Sequence, residues 1–127
     1  MASKVSEQAD ACSNSQKRIV SFGFKHANWP EICNGTVLDV RDLPNPYSQL
    51  SLRELHGDSK AVIEFFESSA HKAVVEKAYA EILDEAKSIA GPVYIGCSGG
   101  KHRSVYIANR LGADLNLPVE HLNYNDK

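Results

Sequence analysis

The residues best suited to chemistry lie together at 96–104, Gly-Cys-Ser-Gly-Gly-Lys-His-Arg-Ser. They follow a short apolar run, Val93-Tyr94-Ile95, and precede a helix-like segment, Val105 to Leu111. Strand, glycine-rich loop and helix is the layout of an anion site. Glycines let the backbone approach a ligand, and a helix N-terminus offers unpaired N–H groups and the positive end of a dipole. Lys101, His102 and Arg103 add cationic donors there. A guanidinium at the loop exit can hold a phosphate through two parallel hydrogen bonds.

The loop admits three chemistries. A nucleotide P-loop needs G-x-x-x-x-G-K followed by Ser or Thr. Gly96 to Gly100 is one residue short of that spacing, and His102 stands where the magnesium-binding hydroxyl would be, so the pattern argues against it. A cysteine phosphatase is the second. Cys97, five residues, Arg103 and then Ser104 match the C-x5-R-S/T pattern of tyrosine-phosphatase-like enzymes. A thiol at a helix N-terminus is favoured as the nucleophilic thiolate. Arg103 would bind the phosphoryl oxygens, Ser104 would stabilise the thiolate, and Asp39 or Asp42 would protonate the leaving group. Against this, Gly96 occupies a position usually held by His, and a cysteine before a tight loop often serves as a small buried filler. The third chemistry is a pocket for a phosphorylated metabolite, built from Ser98, Lys101, His102, Arg103 and the loop N–H groups, which asks nothing of Cys97.

The elements that must position this loop are legible in the hydrophobic pattern. Ile19-Val20-Ser21-Phe22, ending at Gly23, and Thr36 to Val40 read as short strands. A polar loop with Lys25, His26 and Asn28, then Trp29-Pro30, joins them; Trp29 is expected in the core. Arg41-Asp42-Leu43-Pro44-Asn45-Pro46-Tyr47 begins where a strand ends, and its prolines make it a stiff loop without regular helix or sheet. Arg41 and Asp42 are candidates for a local ion pair. Lys60 to Ala90 turns helical, with Asp58 or Ser59 as a cap and Ser68-Ser69 as a break and second cap. Val75, Tyr79 and Ile82 form a face for the core or a dimer contact. Gly91-Pro92 stops that helix, Val93 to Ile95 forms the third strand, and a last helix runs from about Arg103 to Gly112. Val119 to Tyr124 reads as an edge strand. Strands alternating with helices predict one α/β domain over 17–127, a mostly parallel sheet flanked by helices, with 1–16 as a flexible tail.

Bulk composition narrows the function classes. The chain has 127 residues, 43% hydrophobic and 24% charged, with formal net charge −2. That balance gives no general attraction to nucleic acid or to an anionic membrane. Three widely spaced cysteines, Cys12, Cys33 and Cys97, include no C-x-x-C pair, so neither a zinc ribbon nor a redox dithiol is indicated. No metal or cofactor is expected. The polar N-terminus lacks the apolar core of a signal peptide, and no stretch approaches the roughly 20 apolar residues of a membrane helix. A cytoplasmic location is expected. His56, His71 and His121 show no ligand spacing.

Several motifs in order carry a resemblance: Ser21-Phe22-Gly23-Phe24-Lys25, Asp39-Val40-Arg41-Asp42-Leu43-Pro44-Asn45-Pro46, Leu52-Arg53 with Gly57, and Gly96 to Val105. From about residue 18 to 124 the chain resembles the C-terminal domain of the RNase adapter protein RapZ family. Members normally carry an N-terminal P-loop kinase-like domain as well, so the expectation is a stand-alone C-terminal domain. The resemblance implies a regulatory domain that senses glucosamine-6-phosphate, binds a small regulatory RNA, engages a protein partner and self-associates as a homodimer. It implies a ligand site using Asp39, Arg41, Ser98, Gly99, Gly100, Lys101, His102 and Arg103, to which Tyr47 and Ser104 are added as neighbours. Two departures stand out. Tyr47 occupies a position that is usually His in the family, exchanging a group able to carry charge for a hydroxyl. The C-terminal stretch 113–127 sets Asp114, Glu120 and Asp126 against Lys127, which argues against RNA contact through the tail.

Overall fold

The alternation of small and branched apolar residues in Ile19-Val20-Ser21-Phe22 gives a strand with both faces buried, β1 (Ile19–Gly23). The computed structural model describes residues 16–26 and 36–125. Asn28, Trp29, Cys12, Cys33, Asp126, Lys127 and residues 1–15 of the expected tail lie outside the described residues. β2 (Val37–Asp39), β3 (Val93–Cys97) and β4 (Val119–His121) complete a four-stranded sheet in the order β2-β3-β1-β4. Every pairing is parallel.

The third strand runs two residues beyond the expected Ile95, because Gly96 and Cys97 pair opposite Phe22 and Gly23. The segment after Pro118 is shorter than expected: it turns after His121, although Leu122 N–H still donates to Ser21 O at 2.9 Å.

Among the described residues, three helices follow the amphipathic pattern: α1 (Lys60–Glu67), α2 (Lys72–Ser88) and α3 (Arg103–Leu115). The break at Ser68 is present, and Ser68 Oγ donates to Phe65 O at 2.9 Å. Neither expected side-chain cap forms: Ser59 Oγ is buried without a hydrogen-bond partner, and the residue preceding α2 is His71. α3 continues past Gly112 and ends at Asn116, whose φ of 57° is left-handed. Gly112 serves packing instead, since a Cβ there would lie 2.2 Å from Val119 Cγ2.

The main core joins Ile19, Val93 and Ile95 from one sheet face to Val62 and Phe66 of α1, Val75 and Tyr79 of α2, and Ile107 and Leu111 of α3. Val75 and Tyr79 therefore belong to the chain's own core. Phe66, fully buried and stacked on Tyr106 with ring centroids 4.4 Å apart, contributes roughly 1.5–3 kcal/mol by burial. Val20, Phe22 and Tyr94 form a second buried cluster on the opposite face.

The strand order fixes where a ligand can bind. The chain leaves β1 for β2, beyond β3, and leaves β3 for β4, beyond β1. The connections leaving these two neighbouring central strands run in opposite directions past one another, so the loops after β1 and β3 meet over the C-terminal ends of the strands, the usual binding place in open parallel sheets.

Candidate functional site

Two loops meet over those strand ends, one after β1 and one after β3. The ladder continues beyond the strands: Phe24 N–H donates to Cys97 O at 2.7 Å and Lys25 N–H to Ser98 O at 3.0 Å. Gly23 cannot carry a side chain, because its Cβ would lie 2.5 Å from the Gly99 carbonyl carbon. Gly100 has φ 75°, a conformation open to glycine, and this bend turns its N–H toward Cys97 Sγ at 3.2 Å. Among the described residues, the N–H groups of Ser98, Gly99, Lys101 and His102 donate to no backbone carbonyl. α3 follows at once, with its own first N–H groups unpaired.

A third segment closes one wall. Pro46–Ser48 and Leu50–Leu52 form two short 3-10 turns, the first overlapping the end of the Arg41–Tyr47 loop that the sequence predicts without regular helix, the second beyond it. Pro46 is the first residue of its turn, where a missing N–H costs nothing. This wall is fastened to the glycine loop at two points: Gly57 N–H donates to Lys101 O at 2.7 Å, and His102 Nε2–H to Leu52 O at 3.1 Å. A Cβ on Gly57 would lie 2.2 Å from His102 O, so the close approach requires glycine.

The result is a cleft of about 710 Å³. Of the residues singled out from sequence, Tyr47, Cys97, Ser98, Gly99, Lys101, His102 and Arg103 line it. Gly100 and Ser104 stand behind them, buried. Lys25, Asn45, Arg53, Glu54, His56, Tyr124 and Asn125 complete the lining. Arg53, Glu54, His56 and Tyr124 were not legible as site residues; for Arg53, its place in the Leu52-Arg53 motif was the one available signal.

Cations dominate. A Cβ on Gly99 would lie 3.9 Å from Lys25 Nζ, which places this ammonium over the glycine turn. Lys25 and Lys101 form no ion pair among the described residues. Arg53 lies over the Tyr47 ring at 4.6 Å and donates from Nε to Tyr47 O at 2.7 Å. Arg103 is 6% exposed. It donates from Nη1 to Arg41 O at 2.5 Å and to Leu43 O at 3.4 Å, while its buried Nε has no partner. Glu54 is the acidic residue of the lining.

His102 is held as a neutral ring below its ordinary titration range, first by burial, against the opposing pull of the Leu55 and Leu52 carbonyls. Its Nε2–H is spent on Leu52, so its main role in the geometry is to fasten the wall.

Asp39 and Arg41 are placed differently. They form an exposed bidentate pair, Arg41 Nη2 to Asp39 Oδ2 at 2.7 Å and Nε to Oδ1 at 3.1 Å, beside but not lining the cleft. The ion pair expected for Arg41 thus forms with Asp39 and not with Asp42. The Arg41 hydrogen bond lowers the Asp39 carboxyl below its usual range, which suits it poorly for donating a proton. Asp42 is exposed and outside the lining. Arg41 also covers the Phe24 ring at 4.3 Å, joining the β1 loop to the segment after β2.

Within the lining, His56 stacks on Tyr124 at 3.9 Å and donates from Nε2 to Tyr124 O at 2.6 Å. Tyr124 OH donates to both Asp58 oxygens, at 2.9 and 2.8 Å. Among the described residues, no group of three or more His, Cys, Asp or Glu is placed to hold a metal ion, and no helix is long and apolar enough to cross a membrane.

Residues 16–125 match the family model described as the RapZ C-terminal domain. A protein named nucleotide-binding protein from Cupriavidus taiwanensis is 43% identical over 113 residues, covering 80% of this chain and 38% of the relative. One of the same name from Glaesserella parasuis is 34% identical over 120 residues, covering 87% of this chain and 41% of the relative. Another from Clostridioides difficile is 39% identical over 108 residues, covering 76% and 36%. The chain spans about two fifths of the length of these relatives.

Proposed function

This chain belongs to the RapZ C-terminal domain family, and from that premise we propose that it is a regulatory sensor domain binding a phosphorylated small molecule. The phosphoryl group lies against the 98–102 turn. It accepts from the loop N–H groups and from the Arg103 guanidinium, with Lys25 and Lys101 neutralising its charge. The observation that carries this reading is Arg103: a guanidinium 6% exposed, fixed through Nη1, with a buried Nε that has no partner. A buried donor left unsatisfied costs about 1–3 kcal/mol, which an anion in the cleft would recover.

The rest of the ligand extends toward Tyr47, Glu54 and His56. Polar groups there suit a hydroxylated body, and a sugar phosphate such as glucosamine-6-phosphate fits the class. Occupancy would bridge the glycine loop to the wall carrying Arg53 and Glu54, giving a protein or RNA partner a surface to read.

Phosphorus NMR with glucosamine-6-phosphate tests the reading. A shifted or broadened signal, absent with Arg103→Ala, supports it. An unperturbed signal at millimolar protein and ligand would overturn it.

A further inference from the structure

We propose that the same cleft transfers phosphoryl groups as well as binding them, with Cys97 Sγ as the nucleophile toward a phosphomonoester. The proposal rests on the anion-binding reading above and adds chemistry to it. Cys97 ends β3 at the floor of the cleft, 2% exposed. A cysteine that merely filled space would need no hydrogen-bonding neighbours. This sulfur instead has Gly100 N–H at 3.2 Å and the Ser104 hydroxyl at 3.2 Å. In the thiol form the sulfur donates to Ser104 Oγ. In the thiolate form the hydroxyl can rotate and donate back, so both neighbours stabilise the nucleophilic form.

The second, independent observation is Arg103. Both of its hydrogen bonds leave through Nη1, and they hold the guanidinium so that its Nε edge is unspent within the cleft lining. A guanidinium edge of that kind receives two phosphoryl oxygens side by side. Loop N–H groups take the third. Charge that gathers on these oxygens in the transition state therefore meets fixed donors, which is how a pocket accelerates phosphoryl transfer.

The reaction balances in two steps. The thiolate forms an S–P bond while the bond from phosphorus to the ester oxygen breaks, and the leaving oxygen takes a proton from Glu54, the acid of the lining. Water then attacks phosphorus, the S–P bond breaks to restore the thiolate, and the water proton passes to the Glu54 carboxylate. Inorganic phosphate and an alcohol are the products, and neither an oxidant nor a metal takes part.

The test measures inorganic phosphate released from p-nitrophenyl phosphate, alongside binding of inorganic phosphate by calorimetry. The expected result is turnover by the wild-type chain that falls by at least about 100-fold in Cys97→Ser, while phosphate binding persists. An acid-quenched sample should carry one phosphoryl group on the Cys97 peptide. Glu54→Gln should slow an alkyl phosphate more than the aryl ester, whose leaving group needs no proton. If Cys97→Ser fails to fold, carboxymethylation of Cys97 in the wild-type chain should abolish turnover, and inorganic phosphate should protect against it. Wild-type protein that binds phosphate yet releases none overturns this proposal and leaves the binding reading standing. Turnover unchanged in Cys97→Ser overturns it as well. Absence of phosphate binding overturns both.

Discussion

Arg103 donates from Nη1 to the backbone carbonyl of Arg41, 62 residues earlier, at 2.5 Å. One hydrogen bond thus ties the first residue of α3 to the segment after β2, and it fixes the guanidinium of a residue that lines the cleft. Under the proposed function the side chain serves structure and ligand at once, so changes to it should separate into two effects.

Arg103→Ala should abolish phosphate binding and also destabilise the fold. The carbonyls of Arg41 and Leu43 lose their donor, at a cost of about 1–3 kcal/mol. Arg103→Lys keeps charge but not the planar fork, so it should retain more stability than affinity. Urea denaturation and calorimetry with inorganic phosphate measure the two separately. Wild-type affinity in Arg103→Ala would remove the guanidinium from the site.

Lys25→Ala should act on affinity alone. The ammonium is exposed, lies over Gly99 and forms no ion pair among the described residues. Phosphate affinity should drop by roughly 1 kcal/mol, more at low ionic strength, with an unchanged denaturation midpoint. A stability loss comparable to that of Arg103→Ala would contradict a purely electrostatic role.

Gly57→Ala should damage the cleft from its wall. The added Cβ would meet His102 O at 2.2 Å and Tyr106 N at 2.6 Å, both backbone atoms that cannot swing away. Separating the wall from the α3 start should cost about 1–3 kcal/mol and weaken ligand binding in proportion. Normal stability in this variant would show that the approach is not obligatory.

Acidification should destabilise the protein below the ordinary histidine range. His102 and His121 both titrate below the reference value of 6.5, chiefly because burial disfavours the charged ring. His121 lies between Ser21 Oγ at Nδ1 and Asn109 Oδ1 at Nε2, 3.0 Å away, an arrangement that suits one neutral tautomer. As pH falls through 6.5 the unfolded chain gains protons that the folded chain does not, so stability is complete above that pH and lost below it. The urea midpoint should be flat above about pH 7 and decline toward about pH 5. A rising midpoint on acidification would reverse the assignment of both rings.

Tyr79→Phe should cost about 1 kcal/mol by removing the hydroxyl that donates to Asp114 Oδ2 at 2.5 Å. Burial, then the bond to Asp114, raises the Tyr79 hydroxyl far above its ordinary range, so no pH in the neutral region should mimic the mutation. Arg110 over the Tyr79 ring, with its bidentate bond to Glu76, should keep α2 and α3 together in the variant. A midpoint equal to wild type would mean that solvent replaces the bond at no cost.

Local sequence determined the elements and the chemistry of one loop. Period-two apolar runs, helical spacing and the Gly-Cys-Ser-Gly-Gly-Lys-His-Arg-Ser segment are properties of neighbours along the chain, so their physics can be read without a fold. The same holds for the layout of strand, glycine-rich loop and helix and for the family. Boundaries were less legible: β3 lengthens because β1 pairs beside it, and α3 runs through Gly112, whose missing side chain makes room for Val119 instead of ending the helix. Only the tertiary structure decided the rest of the cleft. Arg53, Glu54, His56 and Tyr124 reach the loop because the bonds from Gly57 to Lys101 and from His102 to Leu52 fold a distant segment against it. The anchoring of Arg103 by the Arg41 carbonyl follows from the packing of α3 against the segment after β2. Contacts of that kind join residues far apart in sequence, and no periodicity or propensity encodes which of them will meet.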